Sequence, residues 1–469
     1  MGQCETVTPI IDEYKALSQD LEDKLTANIK ELADSMARGI LKNPKIGNIT
    51  EVIREHVLAL GADITSTTLN HFSSKKDNIL PFNPKEKSKG IRNRTLSTIL
   101  GPVSYEREAF YNKEKNKLSF PADDRLDITA GQLQPDMLTR VVKLGIETPF
   151  HIATELSESL MGVKISEGSI HNAVMTAGQH AVYEKVVPST EEINRKLDEL
   201  KESNKEKAIH IVVGIDGAME PLRPQEALRK GKRGDCFWKE CKGFRAFVVI
   251  EGKAEIEPLA SWHQISNDDE LGKHLSLFTK SILERPEPVV VTGDGAKWIW
   301  NQVEHAFKSR KKKNSGKNSQ KTYREVLDWY HAIEHFSGFA DVQYSGNKEQ
   351  KKEWLDHVKF LLLADQISEI IKEIENLSYS GAMATKHAGL LINYLETNKE
   401  RMNYGTLKRE KLTIGSGGIE AANKSVSHIR LKRGGSWWKE SHANEVLRLR
   451  CAKVNGTLDN ILTSCWSNE

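Results

Sequence analysis

Two aspartates and one glutamate occupy positions where acidic side chains could do chemistry. Asp216 (IHIVVGIDGAME) and Asp294 (PVVVTGDGAKWIW) each close an apolar, β-branched run and precede glycine, and Glu420 (LTIGSGGIEAANK) follows a glycine-rich turn at a helix start. Such runs are typical of buried central strands, and the carboxyl ends of those strands open onto a ligand-binding crevice. Three carboxylates there could hold two Mg²⁺ or Mn²⁺ ions, which can clamp both oxygens of a phosphoryl transfer.

Each of these residues also has a plain structural interpretation. Aspartate before glycine is a turn signal, and a glutamate in the first turn of a helix is favoured by the helix dipole. His331 and His335 stand four residues apart on an expected helix, a spacing that also suits zinc, although the string HAIEH lacks the HExxH order. We interpret His331 as a polar group near the carboxylates, with a structural histidine as the open alternative.

Three blocks carry a resemblance to a known family. In order, GDGAKWIW, DWYHAIEH and IGSGGIEAANK, with a helical stretch between the second and third, resemble the blocks of bacterial insertion-sequence transposases of the Kra type. These are relatives of the Mutator-like DDE transposases. The resemblance runs from about Arg92 to the end of the chain, and the block DWYH resembles the Mutator-type signature that pairs Asp328 with His331.

The resemblance implies a fold, a site and partners. It implies a ribonuclease-H-like core whose catalytic and metal-binding triad is Asp216, Asp294 and Glu420, with two Mg²⁺ or Mn²⁺ ions and His331 as an auxiliary group. The implied function is an insertion-sequence transposase that binds terminal inverted repeats and catalyses DNA cleavage and strand transfer. Its partners would be double-stranded DNA of the element ends and of the target. We also expect a homo-oligomer, at least a dimer on DNA, in the bacterial cytoplasm and at the nucleoid when bound.

Composition sets broad limits on the chain. A length of 469 residues suggests two to four domains. No stretch approaches the length of a membrane-spanning helix, and the first residues lack the pattern of a secretory signal, so no membrane partner is expected. The cysteines are odd in number and scattered, which indicates a reducing compartment; they are Cys4, Cys236, Cys241, Cys451 and Cys465.

Basic residues are concentrated in two zones although the net charge is only +3. Residues 308–324 hold eight basic residues and no acidic one, and they include Lys311, Lys312 and Lys313. The second zone sets cations beside two tryptophans; its residues are Arg430, Lys432, Arg433, Trp437 and Trp438. Cations with adjacent aromatic rings suit a nucleic-acid backbone and splayed bases. The alternative is a solvated loop in the first zone and, in the second, tryptophans that cover the core.

Periodicity predicts the elements that precede the carboxylates. Apolar residues recur at helical spacing over 10–41, and a second helix is expected over 51–72, followed by a linker to residue 90. Residues 92–112 alternate around Gly101 and predict a β-hairpin. A helix, a turn at Gly162 and a second helix after Ser166 form a helix-turn-helix candidate. Its second helix would meet base edges through His171 and Asn172.

Together these patterns predict a multidomain α/β fold. It comprises a ribonuclease-H-like catalytic domain with a helical insertion, preceded by a mostly helical N-terminal region with a β-hairpin and the helix-turn-helix candidate. The expected segments are a helical region and linker (1–90), the hairpin segment (91–133), the helix-turn-helix candidate (134–200), the first part of the core (207–331), the insertion (332–410) and the last core helices (411–469). Two alternatives stay open: a transposase-derived, sequence-specific DNA-binding protein without transposition, and another ribonuclease-H-like nuclease such as a junction resolvase.

Overall fold

A computed structural model describes residues 7–75, 80, 81, 83, 85–114, 116–224, 236–253, 256–308 and 323–466. The chain divides into two compact units: Met1–Val174 with Leu462–Glu469, here the N-terminal unit, and Met175–Ile461, here the C-terminal unit. The fold is mixed α/β and has one three-stranded and one five-stranded sheet among the described residues. No helix in these ranges is long and apolar enough to cross a membrane.

The N-terminal unit contains two long helices that pack against each other, and the second of them packs against a small antiparallel sheet with strand order β1-β2-β3. The predicted long helices and hairpin are confirmed, but β1 begins inside the expected linker and the short β3 was missed. The elements are α1 (Val7–Lys42), α2 (Ile46–Ser73), β1 (Lys87–Thr98), β2 (Gly101–Asn112), β3 (Lys117–Ser119), α3 (Pro121–Arg125), α4 (Pro135–Glu147), α5 (Phe150–Met161) and α6 (Glu167–His180), which crosses the unit boundary.

The helix pair α5 and α6 lies where the sequence predicts it. Gly162 ends α5 with φ of 71°, a left-handed conformation that glycine adopts without strain. Ser166 caps α6, because its Oγ accepts a hydrogen bond from the Ser169 backbone N–H at 3.1 Å. The two helices and the turn at Gly162 are therefore present, whereas the helix-turn-helix motif and its use in reading DNA stay predictions.

The C-terminal unit is built on the larger sheet, whose strand order is β6-β5-β4-β7-β8. Strands β4, β5 and β6 pair antiparallel, and β7 and β8 extend the sheet in parallel. The elements are α7 (Tyr183–Val186), α8 (Thr190–Glu202), β4 (Ile209–Leu222), β5 (Phe237–Ile250), β6 (Glu257–Ile265), α9 (Asp268–Ile282), β7 (Val289–Gly293), α10 (Lys297–Lys308), β8 (Arg324–Leu327), α11 (Trp329–Gln343), α12 (Lys348–Leu363), α13 (Ile367–Asn376), α14 (Ala382–Asn398), a 3₁₀ turn (Lys399–Arg401), α15 (Tyr404–Arg409), α16 (Gly417–Asn423), a π-helical turn (Lys424–His428), α17 (Ile429–Leu431), α18 (Glu440–Asn455) and α19 (Leu458–Trp466).

The central strands are apolar because both of their faces are covered. Val289, Val290 and Val291 of β7 are all buried, as a strand between two helical layers requires. Helices α11 to α15 form the predicted helical segment and share one core with the sheet, to which Val212 and Phe247 contribute. This core fixes the helical segment beside the sheet edge at which the aspartates lie.

Candidate active site

Asp216 and Asp294 lie at the same edge of the larger sheet. The parallel pairing of β4 with β7 ends at Gly214 opposite Thr292, so Asp216 stands two residues beyond it and Asp294 directly follows β7. The expectation that Asp216 ends its strand is wrong. Strand β4 continues to Leu222 because its antiparallel pairing with β5 persists after the parallel pairing stops.

Asp216 is a partly buried carboxylate whose pKa is raised by its surroundings. The pKa of Asp216 is raised to about 6, mainly by burial, and the nearby charge of Asp294 contributes to the rise. Two hydrogen bonds oppose this rise, because both favour the ionised form. The Gly217 backbone N–H donates to Oδ1 at 2.7 Å, and the Asn423 Nδ2 donates to Oδ2 at 2.7 Å.

Asp294 is held by the turn after β7 and by the helical segment. Its Oδ1 accepts a hydrogen bond from the Ala296 backbone N–H at 2.8 Å. The Tyr394 hydroxyl on α14 donates to the Asp294 carbonyl at 3.2 Å, and the Tyr394 ring stacks on His335 at a centroid distance of 3.8 Å. The helical segment therefore reaches the backbone of one of the two aspartates.

Glu420 lies in the first turn of α16 and faces solvent. Its Oε1 pairs with Lys424 Nζ at 2.7 Å, and this hydrogen bond lowers the pKa of Glu420. The sequence suggested that the glycines before it turn the loop, but Gly415, Gly417 and Gly418 have no left-handed φ. Gly418 instead permits close packing, because a Cβ there would stand 2.3 Å from the Phe247 ring.

His331 interacts electrostatically with two of the three carboxylates. Its charge contributes to lowering the pKa of Asp216 and of Glu420. The role of His331 as an auxiliary group of the site stays a prediction. Its contact with DNA or with a metal-bound water stays a prediction.

Asp328 has a role that sequence reasoning did not assign. It is buried and caps α11, because its Oδ1 accepts from the His331 backbone N–H at 2.7 Å. Its Oδ2 accepts from the Ser416 backbone N–H in the loop before α16. One carboxylate therefore ties the helix of His331 to the loop that precedes Glu420. The DxxH spacing was the available signal, because a capping aspartate accepts from the third residue of its helix.

The donor chemistry of this site fits a hard divalent cation. Carboxylate oxygens are the preferred ligands. The charge of Asp294 contributes to the raised pKa of Asp216, although burial is the main cause, so a cation there would favour the ionised form of Asp216. The geometry is open, however: across the described ranges, no three His, Cys, Asp or Glu side chains are grouped closely enough to hold an ion. This finding covers the zinc-like spacing of His331 and His335 as well.

The residues predicted to contact DNA do not share one environment. Lys311, Lys312 and Lys313 lie outside the described residues. In the second basic zone the Arg430 guanidinium lies 4.7 Å from the Trp438 ring centroid, and both side chains are buried.

Burial lowers the pKa of Arg430 to about 10. For Arg430 and Trp438 the structure therefore matches the packing alternative, whereas Lys432 and Arg433 are exposed. Trp437 is half-buried and meets the exposed Trp238 edge-on at 6.0 Å between ring centroids.

In the helix-turn-helix candidate, Asn172 is exposed and His171 is half-buried. The His171 ring meets Phe150 edge-on at 5.4 Å between centroids. Of the two, Asn172 is therefore the more accessible to a ligand.

Comparison with known proteins finds similarity to an uncharacterised protein family. Residues 47–200 match the model of the family UPF0236. Two relatives are UPF0236 proteins of Caldanaerobacter subterraneus subsp. tengcongensis: one is 24% identical over 288 residues (58% of this chain, 53% of the relative), the other 23% over 292 residues (61% and 49%). The chain spans about half the length of the curated relatives it matches.

A solved structure also aligns with the chain. It is the Drosophila P element transposase strand transfer complex, at 9% identity and a TM-score of 0.32, and the alignment covers 70% of this chain and 94% of that one.

Proposed function

We propose that this chain is a DNA transposase that cleaves and transfers DNA strands with Asp216, Asp294 and Glu420 as its catalytic carboxylates. The observation that carries the proposal is the meeting of Asp216 and Asp294 at one sheet edge, where they interact electrostatically. A buried pair of like charges is costly unless a cation or a proton offsets it. Such sites are therefore expected where a function requires them.

The order of elements supports a ribonuclease-H-like core. Along the chain three antiparallel strands are followed by helix, strand, helix and strand, and β4 takes the central place in the sheet. This is the order that the resemblance to Kra-type transposases implies. The helical segment between α11 and α15, followed by the helix of Glu420, agrees with the insertion expected of Mutator-like enzymes.

In this proposal Asp216, Asp294 and Glu420 hold two Mg²⁺ or Mn²⁺ ions. When bound, these ions activate the attacking oxygen and neutralise the leaving oxygen of the phosphodiester. Glu420 joins the site after its pair with Lys424 opens, which costs only about 0.5 kcal/mol for an exposed pair one helical turn apart. His331, whose charge acts on both Asp216 and Glu420, would contribute a polar contact to the phosphate.

The test is DNA cleavage by the full chain. The substrate is supercoiled plasmid carrying the DNA that flanks the gene, in Mg²⁺ or Mn²⁺, where terminal inverted repeats are expected. Asp216→Asn, Asp294→Asn and Glu420→Gln should each abolish nicking while DNA binding stays near wild type. Glu369→Gln on α13 is the matched control, because Glu369 lies in the insertion helices and pairs with the exposed Lys372 there. If each of the three site variants cleaves within about tenfold of wild type, a barrier change near 1.4 kcal/mol, the triad is wrong.

The open geometry favours a second candidate, a sequence-specific DNA-binding protein without cleavage. The same assay separates the two, because that protein would bind the flanking repeats yet nick no plasmid in either metal. Recognition itself is tested at Asn172, the exposed residue early on α6. Asn172→Ala should reduce the preference for the repeat over a scrambled duplex, since base contacts specify and phosphate contacts position. An unchanged preference removes Asn172 from the recognition surface.

A further inference from the structure

A row of three residues crosses the larger sheet beside the candidate site. Asp216 on β4 pairs with Gly243 on β5, and Gly243 pairs with His263 on β6. Residues directly opposite one another on neighbouring strands face the same side of a sheet. A Cβ at Gly243 would stand 2.4 Å from the His263 ring, so the glycine leaves the space that this ring fills.

Hydrogen bonds join the two ends of this row through α16. The Asn423 Nδ2 is 2.7 Å from Asp216 Oδ2, and the Asn423 Oδ1 is 3.0 Å from His263 Nε2. On the far side of the ring, His263 Nδ1 lies 3.8 Å from the Cys451 sulfur on α18. His263 and Cys451 are completely buried, and Asn423 is nearly so.

The hydrogen-bond donors that link Asp216, Asn423, His263 and Cys451 can point in only one direction. An ionised carboxylate only accepts, so the amide nitrogen of Asn423 must face Asp216 and its oxygen must face His263. His263 must then carry its proton on Nε2, which leaves Nδ1 as the acceptor for the weak thiol donor of Cys451. Burial lowers the pKa of His263 to about 4, so the neutral ring that this arrangement requires is the stable form.

We propose that Asn423 and His263 are positioning residues that fix the orientation of the Asp216 carboxylate, with Gly243 providing the space for their contact. This inference rests on the proposed function, in which Asp216 is a metal ligand. Ligating carboxylates depend on hydrogen-bonded partners for their orientation, and loss of such a partner typically reduces metal affinity by about 10–100-fold. Asn423 also lies one turn after Glu420 on α16, so the same amide links the helix of Glu420 to β4.

The first measurement requires no bound metal, no catalytic activity and no DNA. Selective ¹⁵N-histidine labelling of the metal-free full chain, with the His263 signals assigned from their loss in His263→Gln, reports which ring nitrogen carries the proton. We expect the Nε2–H form at pH 7 to 8, where the Asp216 carboxylate is ionised. We also expect the Nε2 signal to change in Asn423→Ala. A proton on Nδ1 overturns the chain of hydrogen bonds.

The second measurement is Mn²⁺ binding by electron paramagnetic resonance without DNA, alongside the Mg²⁺ dependence of plasmid nicking. Asn423→Ala should weaken Mn²⁺ binding at least tenfold, and His263→Ala should do the same. His263→Gln should recover binding to within about threefold of wild type, because a glutamine amide can still donate to Asn423. The matched control is Asn444→Ala, which removes two hydrogen bonds to the Ile265 backbone, two residues along β6, without touching this chain.

The outcomes separate this inference from the proposed function. Wild-type Mn²⁺ affinity in Asn423→Ala overturns the positioning role even if the enzyme cleaves DNA. An equal loss of Mn²⁺ affinity in Asn444→Ala and Asn423→Ala also overturns the positioning role, because general damage to the sheet would then explain both losses. A wild-type protein that binds no Mn²⁺ overturns the proposed function, and the His263 tautomer still decides whether Asn423 orders Asp216.

Discussion

Glu220 is a buried acid whose neutralisation we expect to stabilise the protein at neutral pH. It lies on β4 four residues after Asp216, on the same face of the strand, and its side chain is fully buried. The neighbouring Ser427 hydroxyl donates its one proton to the Asn423 carbonyl at 2.9 Å. Because the Ser427 proton is directed to Asn423, the two Glu220 oxygens are left without a well-formed hydrogen bond in the described part of the chain, although the nearby Ser427 hydroxyl still lowers the pKa of Glu220.

The charges around Glu220 offset its burial only in part. Burial dominates and raises the pKa of Glu220 to about 7 from 4.5, whereas the Ser427 hydroxyl and the charge of Lys432 lower it. His428 Nε2 is 3.9 Å from Glu220 Oε1. The shift of about 2.5 pH units corresponds to roughly 3 kcal/mol. Cys241 is the other titratable neighbour, and burial together with the Glu220 charge raises its thiol pKa.

The direction in which stability changes with pH follows from the number of protons bound by the folded and the unfolded chain. The unfolded chain releases the Glu220 proton near pH 4.5 and the folded chain near pH 7, so between these values the folded state holds more protons. The free energy of unfolding therefore falls by up to about 3 kcal/mol as pH rises through this window. Glutamine has the same shape and cannot ionise, so Glu220→Gln should not show this fall.

Differential scanning calorimetry at pH 4.5, 6 and 8 measures the effect. The melting temperatures of wild type and Glu220→Gln should nearly coincide at pH 4.5. At pH 8 the variant should melt about 6–12 °C higher, given roughly 2–4 °C for each kcal/mol in a unit of this size. Glu240→Gln is the control on the same sheet: it removes a 2.5 Å pair with Lys242, so no gain is expected. The reasoning is refuted if Glu220→Gln gives no gain at pH 8, or the same gain at both ends of the range.

Three further predictions concern the site and its surroundings. Asp328→Asn should lower the free energy of unfolding by about 1–3 kcal/mol in urea titrations, because an amide cannot accept both backbone hydrogen bonds that the carboxylate accepts; an unchanged midpoint contradicts this. Lys424→Gln releases Glu420, so the Mg²⁺ concentration for half-maximal nicking should fall about twofold, and a rise would contradict the role given to that pair. The double variant Lys432→Gln, Arg433→Gln should reduce the salt dependence of DNA binding by about 0.9 in log–log slope for each lost phosphate contact. Fluorescence anisotropy from 50 to 200 mM salt measures this slope. An identical slope in the wild type and the variant would show that neither residue contacts phosphate.

Local patterns were sufficient to predict most elements of the fold. The run VVVTGD predicted a buried strand with an acid at its end, and Asp294 lies directly after β7. The same logic placed Asp216 at the correct sheet edge but ended its strand too early. A strand that loses one parallel neighbour can continue with its antiparallel neighbour, and the sequence of β4 alone does not contain that pairing.

The contacts that orient the site could not be predicted in this way. His263 and Asn423 are 160 residues apart, and neither stands out from its local pattern. Arg430 and Trp438 did stand out in the sequence, but the sequence alone could not decide what they do. A basic residue near a tryptophan suits a DNA surface or a buried cation–π pair equally well, and only packing against α18 and the sheet decides between them.

The position of α16 determines how the carboxylates could come together. Asn423 at its end is hydrogen-bonded to Asp216, and Gly418 at its start packs closely on Phe247, so the helix is fixed to the sheet at both ends. Glu420 lies between these points, and its Oε1 is hydrogen-bonded to the exposed Lys424. If Glu420 is the third ligand, as we propose, its side chain would have to leave Lys424. Because an exposed ion pair is weak, that pair would offer little opposition to a cation beside Asp216 and Asp294.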